Sequence, residues 1–348
     1  MTRPRLRLIL FSLLPAAVLL GGAELGLRLA GFRYQRSLGY MQFAFPNSTE
    51  LHQVYQPDPA LLWRMRPGFD FGHGFPKLNA RGFRGPDFFA AREPAAFRVA
   101  CLGDSVTFGR PEADYPSLLQ RALEDKFPGR AFLVGNFGVP GYSSFQGLQL
   151  LTHEVLEAKP DAVVVLFGWN DHWRVQGFSD HEQKMEGNPA LIEWRDALSR
   201  LRVYQALNKL TAVWRANTRR EAKLRVPEER YRANLLAMIR AGRKRGATVI
   251  LCTTPAGFCR APLPDFFTAL GFARSATEIE PLHRRYNDIA RQVARQENAP
   301  LLDLEKSFEW EGVTNFFDHP REDVIHPNAR GLELIARSLA ELLATRSP

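Results

Sequence analysis

A run of six consecutive apolar residues, 162–167, constrains the fold of this chain more than any other feature. A strand without a polar face must be covered on both sides, which is typical of the centre of a parallel sheet. Strands that alternate with helices predict an α/β fold, here a three-layer α/β/α sandwich around a five-stranded parallel sheet with right-handed crossovers. The other four predicted strands are 97–102, 132–134, 248–252 and 301–304, and the main helices are expected at about 116–127, 144–158, 228–245, 278–296 and 329–343.

The first 31 residues are expected to carry an export signal. Arg3, Arg5 and Arg7 precede a stretch without any charged residue, 8–23. A terminal arginine cluster followed by an apolar block is the pattern of a signal sequence or an N-terminal anchor. Two possibilities stay open, an uncleaved transmembrane signal anchor and a cleaved signal. In both, the rest of the chain is expected outside the cytoplasm.

Residues 32–95 are rich in aromatic residues, Pro and Gly and show no sustained helical or strand periodicity. This composition predicts an irregular extracytoplasmic lead-in, with short strands at 61–66 and 69–75, that packs on the main domain. The main domain itself is expected to occupy residues 96–348.

The main domain contains more residues between its third and fourth strands than a simple crossover needs, which indicates a helical insertion at about 175–227. Val203, Leu207, Leu210 and Trp214 recur there at helical spacing. The formal charge of +9 is concentrated nearby, since residues 195–245 hold 15 Lys and Arg against 4 Asp and Glu. A solvated basic helix, a lid over the site and a surface for anionic lipid or acidic glycan all remain open. Nucleic acid is not expected as a partner, because no binding motif is present.

Polar residues follow three of the predicted strands, at the sheet edge where open α/β folds bind ligands. Ser105 follows the first strand, and a serine on a strand-to-helix turn exposes its hydroxyl as a nucleophile requires. Gly141 lies in a glycine-rich turn after the second strand and can bring a backbone N–H close to a ligand. Asn170 follows the third strand, and its amide can donate two hydrogen bonds to a developing oxyanion. Each residue alone is more typical of a turn or a helix cap than of a catalytic site.

Asp323 stands three residues before His326, near the C-terminus. A carboxylate at this spacing can accept a hydrogen bond from Nδ1 and leave Nε2 free for general base catalysis. A metal pair is the alternative, but no cysteine or acidic cluster nearby completes a ligand set, so neither a metal nor a cofactor is expected. His172 and His319 are close enough in sequence to these motifs to line the same site.

Taken together, these residues resemble the GDSL/SGNH hydrolase family. Its four blocks are similar to Gly103-Asp104-Ser105, to Asn136 with Gly141, to Gly168-Trp169-Asn170-Asp171, and to Asp323 with His326, in the family's order and over about 230 residues. Residues 55–59 and 79–85 look like the lead-in of membrane-anchored bacterial members. The chain departs from the family at Val106, where the family name has Leu, and at Arg110-Pro111.

The resemblance implies a flavodoxin-like SGNH hydrolase fold and a serine esterase that acts through an acyl-enzyme. Ser105, His326 and Asp323 would be catalytic, and the N–H groups of Ser105 and Gly141 with the Asn170 amide would form the oxyanion hole. The expected substrates are carboxylic esters with short acyl or O-acetyl groups, on an acetylated glycan or a lipid. An O-acetyltransferase for an envelope polysaccharide is the alternative, and an inactive glycan-binding or scaffold protein is a further one. The expected location is the bacterial inner membrane with the catalytic domain in the periplasm, or secretion after cleavage.

Overall fold

The computed structural model divides the chain into two compact units. The smaller unit comprises residues 1–52 and 186–221, and the larger one comprises residues 53–185 and 222–348. The residues that the structure describes are 3–34, 51–90, 96–175, 178–183, 189–217, 223–258, 263–269 and 271–345.

The larger unit contains a five-stranded, all-parallel sheet in the order β4-β3-β5-β8-β9, which confirms the predicted fold class. This is the strand order 2-1-3-4-5 of flavodoxin-like folds. Two antiparallel pairs, β1 with β2 and β6 with β7, lie outside that sheet. In chain order the strands are β1 (Tyr55–Asp58), β2 (Leu62–Met65), β3 (Phe97–Gly103), β4 (Phe132–Gly138), β5 (Ala162–Leu166), β6 (Arg174–Val175), β7 (Lys223–Leu224), β8 (Thr248–Cys252) and β9 (Leu301–Leu302).

The helices of the larger unit fall into two groups, as a three-layer sandwich requires. One group is α4 with α12, and the other is α8 with α5 and α10. All five residues of the central strand β5 are buried between these layers. The helices of the chain are α1 (Arg3–Leu29), α2 (Leu51–Val54), α3 (Ser105–Phe108), α4 (Tyr115–Lys126), α5 (Ser144–His153), α6 (Pro189–Ser199), α7 (Arg202–Asn217), α8 (Glu228–Lys244), α9 (Phe266–Ala269), α10 (Ala276–Gln296), α11 (Leu304–Glu311) and α12 (Ala329–Ala344).

The predicted elements differ from the observed ones where a side chain overrides the apolar pattern. The last strand ends at Leu302, because the Asp303 side chain accepts a hydrogen bond from the N–H of Lys306 and starts α11 instead. The predicted strand at 69–75 is wrong. Gly72 has a φ of 64° there, and the Phe71 ring packs on the rings of Phe69, Phe75 and Phe108, so its aromatic residues form a small cluster within a turn.

The smaller unit contains α1, α6 and α7. Glu24 of α1 accepts a hydrogen bond from the N–H of Val203 at 2.9 Å, which places a carboxylate at the N-terminus of α7. In the part of the chain whose side chains the structure describes, no helix has both the length and the apolar character needed to cross a membrane. The transmembrane anchor predicted for residues 1–31 therefore finds no support there.

Candidate active site

The turn between β3 and α3 presents Ser105 as the first residue of a short helix. The Asp104 carboxylate accepts a hydrogen bond from the N–H of Val106 at 2.9 Å and caps this helix. Only a glycine fits at position 103, because a Cβ there would lie 1.9 Å from Thr107 Oγ1 and 2.8 Å from the carbonyl oxygen of Leu166. The tight turn thus holds the Ser105 hydroxyl at the carboxyl end of the sheet.

Asp323, His326 and Ser105 form a continuous chain of hydrogen bonds. His326 Nδ1 lies 2.7 Å from Asp323 Oδ2, and His326 Nε2 lies 2.7 Å from Ser105 Oγ. The other carboxylate oxygen of Asp323 accepts from the N–H groups of Ile325 at 2.8 Å and His326 at 3.0 Å. Since a carboxylate only accepts, Nδ1 carries the imidazole proton and Nε2 is left to accept from the serine hydroxyl.

The electrostatics of this group favour a basic imidazole. Burial lowers the pKa of His326, but the hydrogen bond and charge of Asp323 and the charge of Asp104 outweigh it, so the pKa lies above its ordinary value. For Asp323, burial raises the pKa, yet the hydrogen bond from His326, its charge and the two backbone N–H groups hold the pKa below its ordinary value. Both shifts favour an ion pair when His326 takes up a proton.

Asn170 and Gly141, the other two residues that the sequence predicts for the site, are both buried. Asn170 is 3% exposed, and its Nδ2 donates to Asp104 Oδ2 at 3.0 Å. One of the two amide hydrogens predicted for an oxyanion is therefore already bonded, and one remains. Among the described residues, the backbone N–H groups of Ser105 and Gly141 have no hydrogen-bond acceptor.

The contact between Asp104 and Asn170 was not predicted, because the two residues are 66 positions apart. The only feature of the sequence that could have pointed to this contact is the carboxylate of Asp104, directly before Ser105. Burial raises the pKa of Asp104 to about 6, although the N–H of Val106, the charge of His326 and the Asn170 amide each lower it.

The two further histidines considered from the sequence do not join this chain of hydrogen bonds. His172 is buried, and its Nε2 lies 3.2 Å from Nδ1 of His283. Burial and the neighbouring His283 hold the pKa of His172 well below its ordinary value, so the pair packs in a neutral form. His319 is exposed, and its carbonyl oxygen accepts from the N–H of Asp323 at 2.8 Å, which helps to form the turn before His326.

Arg110, where the sequence departs from the family pattern, connects the two loops of the site. Its guanidinium lies 2.9 Å from Glu112 and 3.3 Å from Asp318. The positive charge of Arg110 is also among the influences that lower the pKa of His326. Within the described residues, no three His, Cys, Asp or Glu side chains cluster as a metal site would need.

The chain is similar to a known family and to several solved structures. The model of the GDSL-like Lipase/Acylhydrolase family matches residues 101–334. The crystal structure of the lipase/acylhydrolase from Enterococcus faecalis is similar at 21% identity, over 72% of this chain and 96% of that chain, with a TM-score of 0.46. An acetylxylan esterase from Geobacillus stearothermophilus is similar at 16% identity, over 71% of this chain and 93% of that chain, with a TM-score of 0.45. None of the curated proteins matches.

The family match includes every residue of the site, from Asp104 to His326, and extends over most of the chain. It confirms the resemblance derived from the four sequence blocks. The chain belongs to the GDSL-like lipase/acylhydrolase family and is an ester-hydrolysing enzyme.

Proposed function

We propose that the chain is a serine esterase that cleaves carboxylic esters through an acyl-enzyme on Ser105. The observation that carries this proposal is the pair of 2.7 Å contacts that join Asp323 to His326 and His326 to Ser105. A nucleophile bonded to a base, and the base bonded to an orienting carboxylate, is the geometry of nucleophilic catalysis.

In the first half of the reaction, Ser105 Oγ attacks the ester carbonyl carbon while His326 Nε2 takes the hydroxyl proton. The imidazolium that forms is stabilised by Asp323, and it then gives the proton to the departing alcohol. An acyl group is left on Ser105. In the second half, water attacks the acyl carbon while His326 Nε2 accepts its proton. His326 then gives this proton to Ser105 Oγ as the bond between Oγ and the acyl carbon breaks, which releases the acid and restores both residues.

Negative charge develops on the carbonyl oxygen in both halves. We propose that the N–H groups of Ser105 and Gly141 and the remaining amide hydrogen of Asn170 bind this oxygen. Two observations support this. Within the described part of the chain, the two N–H groups have no hydrogen-bond acceptor, and the Asn170 side chain is buried, at 3% exposed. A hydrogen bond to developing charge is stronger where water is excluded.

The base must be neutral to accept a proton, so the proposal predicts a pH dependence. Because Asp323 raises the pKa of His326, kcat/KM should increase with pH, and the midpoint of this increase should lie above 6.5, the ordinary pKa of a histidine.

Replacement of Ser105 by alanine tests the nucleophile. Ser105→Ala should reduce kcat/KM for p-nitrophenyl acetate by roughly 10^5- to 10^6-fold, because an attacking atom is lost while the fold is kept. A fluorophosphonate should label the parent protein on the peptide that contains Ser105. The control is Ser307→Ala, since Ser307 is also half-buried but donates to the carbonyl oxygen of Asp303, the residue before α11. Parent-like turnover by Ser105→Ala would refute the proposal.

We propose esters with short acyl chains, including O-acetyl groups on glycans, as the substrate class. A sugar hydroxyl in place of water would turn the same residues into an O-acetyltransferase. Incubation with an acetylated donor and a polysaccharide acceptor distinguishes the two reactions, because a hydrolase releases acetate and a transferase yields acetylated acceptor. Transfer as the main product would replace the hydrolase proposal.

We further propose that the chain lies outside the cytoplasm, where its smaller unit contacts an anionic membrane surface. The basic and apolar pattern of residues 1–23 supports the location. Exposed Trp194, Leu207 and Leu210, at 60%, 55% and 66%, support the lipid contact. The charge of the smaller unit supports it as well, since its sequence holds 13 Lys and Arg against 6 Asp and Glu.

Vesicle flotation tests the lipid contact. The full chain should bind vesicles with phosphatidylglycerol more strongly than neutral vesicles, and Leu207→Ser with Leu210→Ser should weaken this binding. Trp310→Ser in the larger unit is the control, because Trp310 is 91% exposed without belonging to this surface. Equal binding to both vesicle types would contradict the contact, and recovery in the cytosolic fraction would contradict the location.

A further inference from the structure

A fully buried arginine contacts the loop that carries Gly141. Arg225 follows β7, where the insertion returns to the larger unit, and its side chain is 0% exposed. Its Nη1 donates to the carbonyl oxygen of Gly141 at 2.9 Å. This guanidinium takes no part in the reaction steps proposed above.

The charge of Arg225 is balanced by Asp180, which is 1% exposed. Arg225 Nε donates to Asp180 Oδ1 at 3.2 Å and Nη2 donates to Oδ2 at 2.8 Å, so the pair is bidentate. Asp180 Oδ2 also accepts from Ser143 Oγ at 2.7 Å, and Arg225 Nη2 donates to Gln146 Oε1 at 3.2 Å. The ion pair therefore contacts the residues on both sides of the start of α5.

Two hydrogen bonds fix the peptide units on either side of the Gly141 Cα. Arg225 bonds the carbonyl of the unit that follows, and the Tyr55 hydroxyl donates at 3.3 Å to the carbonyl of Pro140, which shares its peptide unit with the Gly141 N–H. Gly141 has a φ of 87°, so its backbone occupies a region that is sparsely populated except for glycine. With both units held, the direction of the Gly141 N–H is set by its surroundings.

A buried ion pair adds little net stability, because removing two charges from water offsets most of their attraction. An arginine fork that contacts a backbone carbonyl at a fixed angle does supply orientation. The position of Arg225, one bond from the glycine proposed for the oxyanion hole, is a more direct reason for its presence than stability.

We infer that Arg225, held by Asp180, is a positioning residue that aims the Gly141 N–H at the oxyanion of the transition state. This inference rests on the proposed function of the site. A misdirected N–H donor stabilises the transition state less but changes substrate binding in the ground state little. Loss of Arg225 should therefore lower kcat and leave KM nearly unchanged.

The test compares Arg225→Met with Arg291→Met. Arg291 is also paired with carboxylates, Asp303 and Glu305. Among the residues that the structure describes, no hydrogen bond or ion pair joins Arg291 to Gly141. For p-nitrophenyl acetate, Arg225→Met should lower kcat by roughly 10- to 100-fold, with KM within about threefold of the parent. The inhibition constant of a trifluoromethyl ketone, whose adduct places an oxyanion in the hole, should increase by a similar factor. Arg291→Met should leave both quantities close to those of the parent.

Arg225→Lys keeps the positive charge but removes the planar guanidinium that contacts both Asp180 and Gly141. This variant replaces Arg225→Met in the test if Arg225→Met does not fold. It should fall between the parent and Arg225→Met in kcat and in ketone affinity. A folded variant of either kind with parent-like kcat and inhibition constant would overturn the inference. Fluorophosphonate labelling of the parent distinguishes failure of the proposed function from failure of this inference. If Ser105 in the parent is not labelled, both the proposed function and the inference are refuted. A labelled parent alongside an unaffected variant refutes only the inference.

Discussion

The two sides of the proposed active site, the base side and the oxyanion side, are built in opposite ways. The base side consists of Asp323 and His326, three positions apart, with side chains 43% and 37% exposed. The oxyanion side consists of buried contacts between distant segments, such as Asp104 with Asn170 and Arg225 with Gly141, which are 66 and 84 positions apart. One side is a local turn near the surface, and the other is part of the core.

This difference predicts where function and stability separate. Asp323 and His326 are partly exposed, so a substitution at either position removes fewer buried contacts and should affect catalysis much more than folding. A substitution on the buried side leaves a polar partner without its hydrogen bond, which costs stability as well as rate. The following variants probe that contrast from the largest expected effect to the smallest.

Of these three variants, Asp323→Asn should show the largest loss, about 10^4-fold in kcat/KM, because the amide no longer fixes the imidazole tautomer or stabilises its charge. In the pH profile of the remaining activity, the midpoint of the increase should move to lower pH, since Asp323 is a cause of the raised His326 pKa. Because the pKa of Asp323 is lowered in the fold, its stabilising effect is present above its ordinary pKa and lost as the pH falls below it. A small decrease in Tm at pH 7 that vanishes in acid, measured beside pH–rate profiles, is the expected result. If the variant is unfolded at pH 7, the proposed difference between a base side that affects mainly catalysis and a buried side that also affects stability is wrong.

Asn170→Ala should reduce kcat by about 100- to 1,000-fold, or about 3–4 kcal/mol in the barrier, because one oxyanion donor is lost. Unlike Asp323→Asn, it should also lower the free energy of unfolding, since the buried Asp104 oxygen loses its partner. Steady-state kinetics and urea unfolding measure the two effects. Asn315→Ala, at an exposed position, is the control. Parent-like kcat in the variant would remove Asn170 from the oxyanion hole.

Asp104→Asn should reveal the smallest effect, a pH dependence of stability opposite to that of Asp323. In the fold the pKa of Asp104 is about 6, above its ordinary value of about 3.9, so the folded state keeps a proton that the unfolded state releases. The parent should therefore lose about 2–3 kcal/mol as the pH rises from 4 to 7, and the variant should not show this loss. Urea unfolding of both proteins at several pH values measures the difference. A constant difference across that range would show that Asp104 is ionised throughout.

The features that could be predicted from the sequence are those that depend on neighbours along the chain. The apolar run 162–167 indicated a covered strand, which the structure shows as β5. The three-residue spacing from Asp323 to His326 indicated a contact between these two side chains, which the structure also shows. The aromatic segment at 69–75 was predicted as a strand because composition cannot show that Phe71 would pack on Phe108. Tertiary packing decided that segment.

The supports of the oxyanion side could not be predicted, because each joins segments that approach only after folding. Asn170 was identified by the strand that precedes it, but its bond to Asp104 depends on two strands lying side by side. Arg225 stands among 15 Lys and Arg residues between positions 195 and 245, and nothing in the sequence distinguishes a buried cation from its solvated neighbours.

The lead-in segment has a consequence for solubility. β4 is an outer strand of the sheet, and Arg84 pairs with its residue Asn136 in an antiparallel bridge, while the rings of Phe83 and Phe88 pack on Phe137. An uncovered outer strand invites pairing with another chain. A protein shortened to residues 96–348 would keep every proposed catalytic residue, but it would leave this edge bare and prone to self-association.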